Sequence, residues 1–334
     1  MHVKNDAAAT YKLLAAEFEK RGYTVTTRRD EESGRLVVRY VSPGGATWET
    51  SASRIGYPFT SLEGKELSVH KNEALRYAKK HGISVPETYF IDQNQPIDDE
   101  TVARLLEKHP RLIVKPEDSS LSRGLSLNLT TVESVHAAVE RARQVKPAVI
   151  VQEQVIGEEV RFITLKKKVV AALLRRTPRV VGDGQSTVQE LIEAENAQRA
   201  RLVFPYISYP RLTREMIDSR FFTDTQVLAD GEILELSHAT MIKDGASVYD
   251  ILSHMDQTYV ATVEHLMQDT GSDFMACDMF IQDFTKPQTN NNYFFIEFNT
   301  SPVLKLCYGC RDGNMFDIVP RLADVIDEAL NRGR

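Results

Sequence analysis

Near the C-terminal end, residues 293–302 (YFFIEFNTSP) place Glu297 and Asn299 two positions apart in a short, apolar, β-rich run that Pro302 ends. On a strand, residues i and i+2 project to the same face, so this carboxylate and amide stand side by side. A third oxygen donor, Asp278, lies inside the similar run 274–281 (FMACDMFI). Two carboxylates and an amide on rigid strands suit a hard divalent ion such as magnesium, which keeps coordination positions open for phosphate and water. Each residue alone reads as an ordinary strand-end group. Together they call for a phosphate-binding partner elsewhere in the chain.

Residues 68–86 (SVHKNEALRYAKKHGISVP) predict a helix ended by Gly82, with Lys71 in its first turn. A cation there opposes the helix dipole unless it faces an anion, although an exposed surface lysine is the ordinary alternative. Residues 111–129 (RLIVKPEDSSLSRGLSLNL) predict a hairpin whose tip is built from Ser119, Ser120, Ser122 and Gly124. Small residues at a tip let backbone amides and hydroxyls approach an oxyanion, and Lys115 on the preceding strand can reach phosphate oxygens from beneath. A buried strand over 149–151 then runs into a polar stretch with Gln152 and Glu153 and a turn at Gly157, a hinge whose backbone groups an adenine could pair with. Glu159 and Arg161 follow on one face. Arg175 and Arg176 close an apolar strand, a good place to stabilise a forming negative charge, with an exposed salt bridge as the alternative. The chain contains neither a GxxxxGK[ST] loop nor a GxGxxG after a strand, so a bound nucleotide needs another architecture.

The remaining elements frame these groups. Residues 6–21 predict a helix and 23–27 and 35–41 two strands, a small α/β piece without evident chemistry. Residues 199–222, with Phe204, Tyr206, Tyr209, Arg211, Arg214 and Arg220, read as a long loop lining a substrate site. Strands are expected over 225–228 and 232–236, a loop over 238–250, and helices over 131–144, 256–269 and 316–330. The 334 residues allow two or three subdomains, and a net charge of −6 gives no global attraction for nucleic acid or an anionic membrane. With no signal-peptide core, no membrane-length apolar run and only three cysteines, the expected location is the cytoplasm. Cys307 and Cys310 form a CxxC that, without a second such pair, reads as two ordinary thiols.

In order, the helix-head lysine, the VKP strand with its small-residue tip, the VQExxxGxE hinge, and Asp278 followed by ExNxxP resemble the ATP-grasp superfamily. From residue 68 to about residue 302 the likeness is greatest to the ATP-grasp portions of cyanophycin synthetases and bifunctional glutathione synthetases, through VKPEDSSLSRGLSLNL and VVGDGQSTVQELI. The resemblance implies an α+β fold in which two α/β subdomains clasp ATP: residues 68–151 with the hairpin lid, and 152–334 with the metal site and substrate loop, preceded by an α/β region over 1–67. It also implies that Lys71 and Lys115 hold ATP phosphates under a lid of Ser119, Ser120, Ser122, Arg123 and Gly124. Gln152, Glu153 and Val155 would lie at the adenine, Glu159 at the ribose, Asp278, Glu297 and Asn299 on Mg2+ (or Mn2+), and Arg161 and Arg176 beside an acyl phosphate. The implied reaction is ligation of a carboxylate to an amine on amino acids or small peptides; a small-molecule kinase and a non-catalytic ATP-binding protein are the alternatives. A homodimer is the default for such an enzyme. The chain departs from the resemblance in having DSSLSRG where the cyanophycin-type tip resembles DGNHGRG, and Val303 where a glycine follows the last proline.

Overall fold

A computed structural model describes residues 9–93, 95–118, 123–204, 207–218, 222–311 and 316–332. The chain opens with α1 (Ala9–Lys20) and an antiparallel sheet of β1 (Thr24–Arg29), β2 (Leu36–Val41) and β3 (Thr47–Ser51). Two helices follow, α2 (Leu62–Val69) and α3 (Lys71–Lys80). Next come β4 (Thr88–Ile91), α4 (Asp99–Lys108), β5 (Leu112–Pro116), β6 (Ser126–Leu129), α5 (Val132–Arg143) and β7 (Val149–Glu153), with the four strands in the order β4-β7-β5-β6. Alternation divides this sheet. Leu112, Val114, Val149 and Val151 pack with Val102 of α4 and Val135 of α5, which leaves Lys115 and Gln152 on the opposite face.

The second large sheet is built from β8 (Glu158–Leu165), β9 (Lys168–Arg176), β12 (Ser247–Asp250), β13 (Phe274–Ile281) and β14 (Tyr293–Asn299), in the antiparallel order β12-β9-β8-β13-β14. Between β9 and β12 lie β10 (Arg179–Val181), α6 (Val188–Arg201) and β11 (Ile233–Glu235), which share a small core of their own. The remaining helices are α7 (Gln257–Met267) and α8 (Ile318–Asn331). One face of the five-stranded sheet, with Val160, Phe162, Leu174, Met275, Cys277 and Met279, packs on α3 and α7. The other, with Ile163, Leu173, Phe274 and Ala276, packs on the N-terminal sheet and α8. Asp278 continues the Phe274, Ala276 series along this second face.

Several local expectations change. Residues 225–228 form no strand and make only a bridge from Val227 to Thr187, while the expected 238–250 loop contains β12, which extends the central sheet beside β9. Helices α2 and α4 and strand β3 were not anticipated, and α2 runs across the boundary expected at residues 67 and 68. The stretch expected to be a substrate loop begins inside α6, where Arg199 is buried against Glu195 at 2.7 Å. Arg211 and Arg214 pair with Glu193 and Asp224. Tyr206 and Arg220 lie outside the described residues. The three cysteines are buried thiols outside any disulfide. Among the described residues no helix is long and apolar enough to cross a membrane.

The two large sheets meet at the turn between β7 and β8, where Gly157 takes a φ of +152°. A side chain there would place its Cβ 2.8 Å from the carbonyl carbon and oxygen of Ile281, which is backbone and cannot swing aside. Gly157→Ala is therefore expected to lower unfolding stability by about 2 kcal/mol or more. Urea denaturation checks this, and an unchanged midpoint would contradict the close approach.

Candidate active site

Asp278 and Glu297 face each other directly across β13 and β14, and Asn299 stands opposite Ala276 one same-face step along. The register slips just beyond this pair, between Asp278 and Met279, so that Met279 pairs with Phe295 and Ile296 is the extra residue. The bulge has a physical purpose. Phe295 and Phe298 are three residues apart, and only with one residue inserted can both enter the same core, where their rings lie 4.8 Å apart. Glu297 and Asn299 are thereby turned to the opposite face, where the Asn299 amide nitrogen donates to Glu297 Oε1 at 3.3 Å.

Cations from four separate elements face these oxygens. On β8, directly across from Asp278, Arg161 donates from Nε and Nη2 to the two carboxylate oxygens at 2.7 and 2.6 Å. On β9, Arg175 donates to Asp278 Oδ2 at 3.2 Å and also pairs with Glu159. Asp278 is 1% exposed. Burial alone would raise its carboxyl, but Arg161, with help from Arg175, outweighs burial and holds it below the ordinary value. For Glu159 the balance goes the other way, and burial raises it against the opposing charge of Arg175.

Lys71, the first residue of α3, places its amine 3.7 Å from Glu297 Oε2. Lys115 donates to Gln152 Oε1 at 3.0 Å and is pushed down to about 8 by burial, with Glu297 acting to raise it and Lys71 to lower it further. Lys115 on the four-stranded sheet thus senses the charge of Glu297 on the five-stranded one. The site brings Lys71, Lys115, Arg161 and Arg175 against Asp278, Glu297 and Glu159, four cations to three carboxylates. Such a surplus suits an anionic ligand.

The other expected residues divide. Gln152 is 3% exposed, and its amide spans Lys115 and Thr88, so it orients the lysine. The Glu153 carboxylate pairs with His109 Nδ1 at 2.7 Å, and its backbone N–H donates to the Glu87 carbonyl at 3.0 Å. Val155 is half-buried in the hinge. Glu159 joins Arg175 near Asp278, at the charged cluster expected to take phosphates. Arg176 is the main correction. It projects from the face opposite Arg161, with Nε donating to Glu158 at 3.1 Å and its guanidinium 5.2 Å from the Tyr249 ring centre. Its neighbour Arg175 takes the place beside Asp278. The sequence signal for Arg175 was the RR pair itself, which cannot be phased to a face until the register of β9 against β8 is known. Arg123 is exposed, and Gly124 adopts a φ of +76° against Pro116. Ser119, Ser120 and Ser122 lie outside the described residues.

Among the described residues no three of His, Cys, Asp and Glu come together as a metal-binding group. The oxygen set here is two carboxylates and an amide, paired across β13 and β14, and it fits a hard ion that shares its coordination with phosphate.

No protein-family model matches the chain. Over 281 residues, 82% of this chain, it is 25% identical to a cyanophycin synthetase of Nostoc. Over 220 residues, 63% of the chain, it is 26% identical to the bifunctional glutathione biosynthesis protein of Streptococcus agalactiae. These matches span 31% and 29% of the relatives' own lengths. A bifunctional glutathione synthetase from Pasteurella multocida superposes over 93% of this chain and 42% of its own, with a TM-score of 0.54 and 19% identity. The chain has the ATP-grasp fold. Within that fold Glu297 of the five-stranded sheet is paired with Lys71 and lies within electrostatic reach of Lys115 of the four-stranded sheet.

Removing one member of this buried cluster strands the others. Asp278→Ala is expected to cost about 3 kcal/mol of unfolding stability at neutral pH, because Arg161 and Arg175 lose their shared carboxylate. Since folding depresses the Asp278 carboxyl, its contribution is complete above the ordinary value of 3.8 and is lost as pH falls through the folded value. The gap between wild type and variant should therefore narrow on going from pH 7 to pH 3 in urea denaturation, and a constant gap would contradict the ion pair.

Proposed function

We propose that this protein is an ATP-dependent carboxylate–amine ligase acting on amino acids or small peptides, forming an amide by way of an acyl phosphate and releasing ADP and phosphate. The observation that carries the reading is the convergence of Lys71, Lys115, Arg161 and Arg175 on Asp278, Glu297 and Asn299 within an ATP-grasp fold. The names of the cyanophycin and glutathione relatives point to the same reaction class. Its buried thiols, none in a disulfide, suit the reducing cytoplasm, where we place it.

Lys71 and Lys115 bind phosphate oxygens, with Gln152 fixing the Lys115 amine, and the hairpin through Arg123 and Gly124 covers them. The hinge at Val155 receives the adenine beside Gln152 and Glu153, and Glu159 lies between the ribose and Arg175. Asp278, Glu297 and Asn299 would hold magnesium, which when bound draws charge from the transferring phosphoryl group. Arg161 and Arg175 hold the negative charge that collects as a substrate carboxylate oxygen bonds to the γ-phosphorus and the bond to ADP breaks. The amine then attacks the acyl carbon, loses a proton, and expels phosphate. Arg176, on the opposite face, braces β9 through Glu158.

Release of phosphate should require ATP, a carboxylate and an amine together, and screening amino-acid pairs for phosphate release tests it. A stable phosphorylated product would instead identify a kinase. Lys115→Met should weaken ATP binding at least about tenfold through loss of a buried cation, as read by calorimetry. Glu297→Gln should abolish turnover while nucleotide binding largely survives. Full activity in that variant would remove Glu297 from the metal site.

A further inference from the structure

Helix α2, which carries none of the expected site residues, grips the open end of the hairpin that carries the oxygen donors. At its start, the Ser61 hydroxyl accepts from the Gly64 N–H at 2.8 Å and donates to the Thr270 carbonyl at 2.6 Å, while the Ser61 N–H donates to Ser272 Oγ at 3.2 Å. Gly64 lies so close over Ser272 that an added Cβ would stand 2.2 Å from its Oγ. Thr270 and Ser272, both fully buried, lead into β13 and Asp278.

At the other end of α2, Ser68 Oγ accepts from the Thr300 N–H at 3.1 Å and from the Thr300 hydroxyl at 3.4 Å. Thr300 directly follows Asn299, and the next residue, Ser301, accepts from the Ile55 N–H at 3.0 Å. A single residue, His70, separates α2 from Lys71, the first residue of α3, which reaches Glu297. A single eight-residue helix therefore fixes the entry to β13, the exit from β14 and the amine that faces them.

We propose that Ser68 is a positioning residue for the metal-binding end of β14. By holding the Thr300 amide it sets where the Asn299 and Glu297 side chains stand, and it ties the N-terminal region to the phosphate site. This rests on the ligase reading of that site. Groups that orient metal ligands from behind commonly account for about tenfold or more in metal affinity.

The test compares wild type, Ser68→Ala, Ser68→Thr and Gly64→Ala in the full chain. Mn2+ affinity is measured in the presence of a saturating non-hydrolysable ATP analogue, and affinity for the analogue is measured without metal. Ser68→Ala should raise the Mn2+ Kd about tenfold while metal-free analogue affinity stays within about twofold, and Ser68→Thr should restore the wild-type value. Gly64→Ala, which pushes the whole helix from Ser272, should weaken both, because Lys71 moves with it. Unchanged Mn2+ affinity in Ser68→Ala, or an equal loss of metal and nucleotide binding with a lowered melting temperature, would overturn the positioning role alone. A wild-type protein that binds neither Mn2+ nor the analogue would overturn the ligase reading and this role with it.

Discussion

The pair that Arg161 makes with both oxygens of Asp278, at 2.7 and 2.6 Å in a setting that leaves Asp278 1% exposed, constrains everything around it. Moving a carboxylate out of water is costly, and the cost is offset only while the guanidiniums of Arg161 and Arg175 stay in place. That requirement pins the register of β9, β8 and β13. A slip of one residue in β13 would turn Asp278 toward the core of Phe162, Met275 and Met279, where no cation could meet it.

From this pair the charge balance spreads outward. Glu297, across the ladder from Asp278, is met by Lys71, which reaches it from the head of a helix that packs on the other face of the same sheet. Lys115 comes from the second large sheet, and Gln152 holds its amine in place. With its proton affinity lowered to about 8, that amine is still mostly charged at neutral pH, and an anion beside it would favour the charged form further. The site is thus an interface between two sheets with cations supplied from both.

Much of the remaining charge is structural. Glu195 joins Arg199 at 2.7 Å and Arg311 at 2.6 Å, and Arg199 also donates to the Gly245 carbonyl. Tyr209 lies beside both guanidiniums and donates its hydroxyl to the Gly309 carbonyl. Arg311 hydrogen-bonds through its backbone to Val248, on the edge of β12. Arg199 and Tyr209, two members of the arginine- and aromatic-rich stretch, thus brace α6 and the segment after β14 to the sheet.

What the sequence determined by itself was the set of short-range facts. Residues at i and i+2 share a face, so Glu297 with Asn299 and Glu159 with Arg161 could be paired from spacing alone, and Lys71 could be placed in the first turn of a helix from the apolar stripe of Ala74, Leu75 and Ala78 and the stop at Gly82. The resemblance to ATP-grasp enzymes was legible because the pieces occur in a fixed order along the chain. Tertiary structure decided whatever depended on register or distant packing: that Arg175 and not Arg176 stands beside Asp278, that Gln152 serves Lys115, and that α2 clamps the hairpin ends. The reason is that side-chain direction in a strand is fixed by its neighbours' hydrogen bonds, and those neighbours here lie tens to hundreds of residues away.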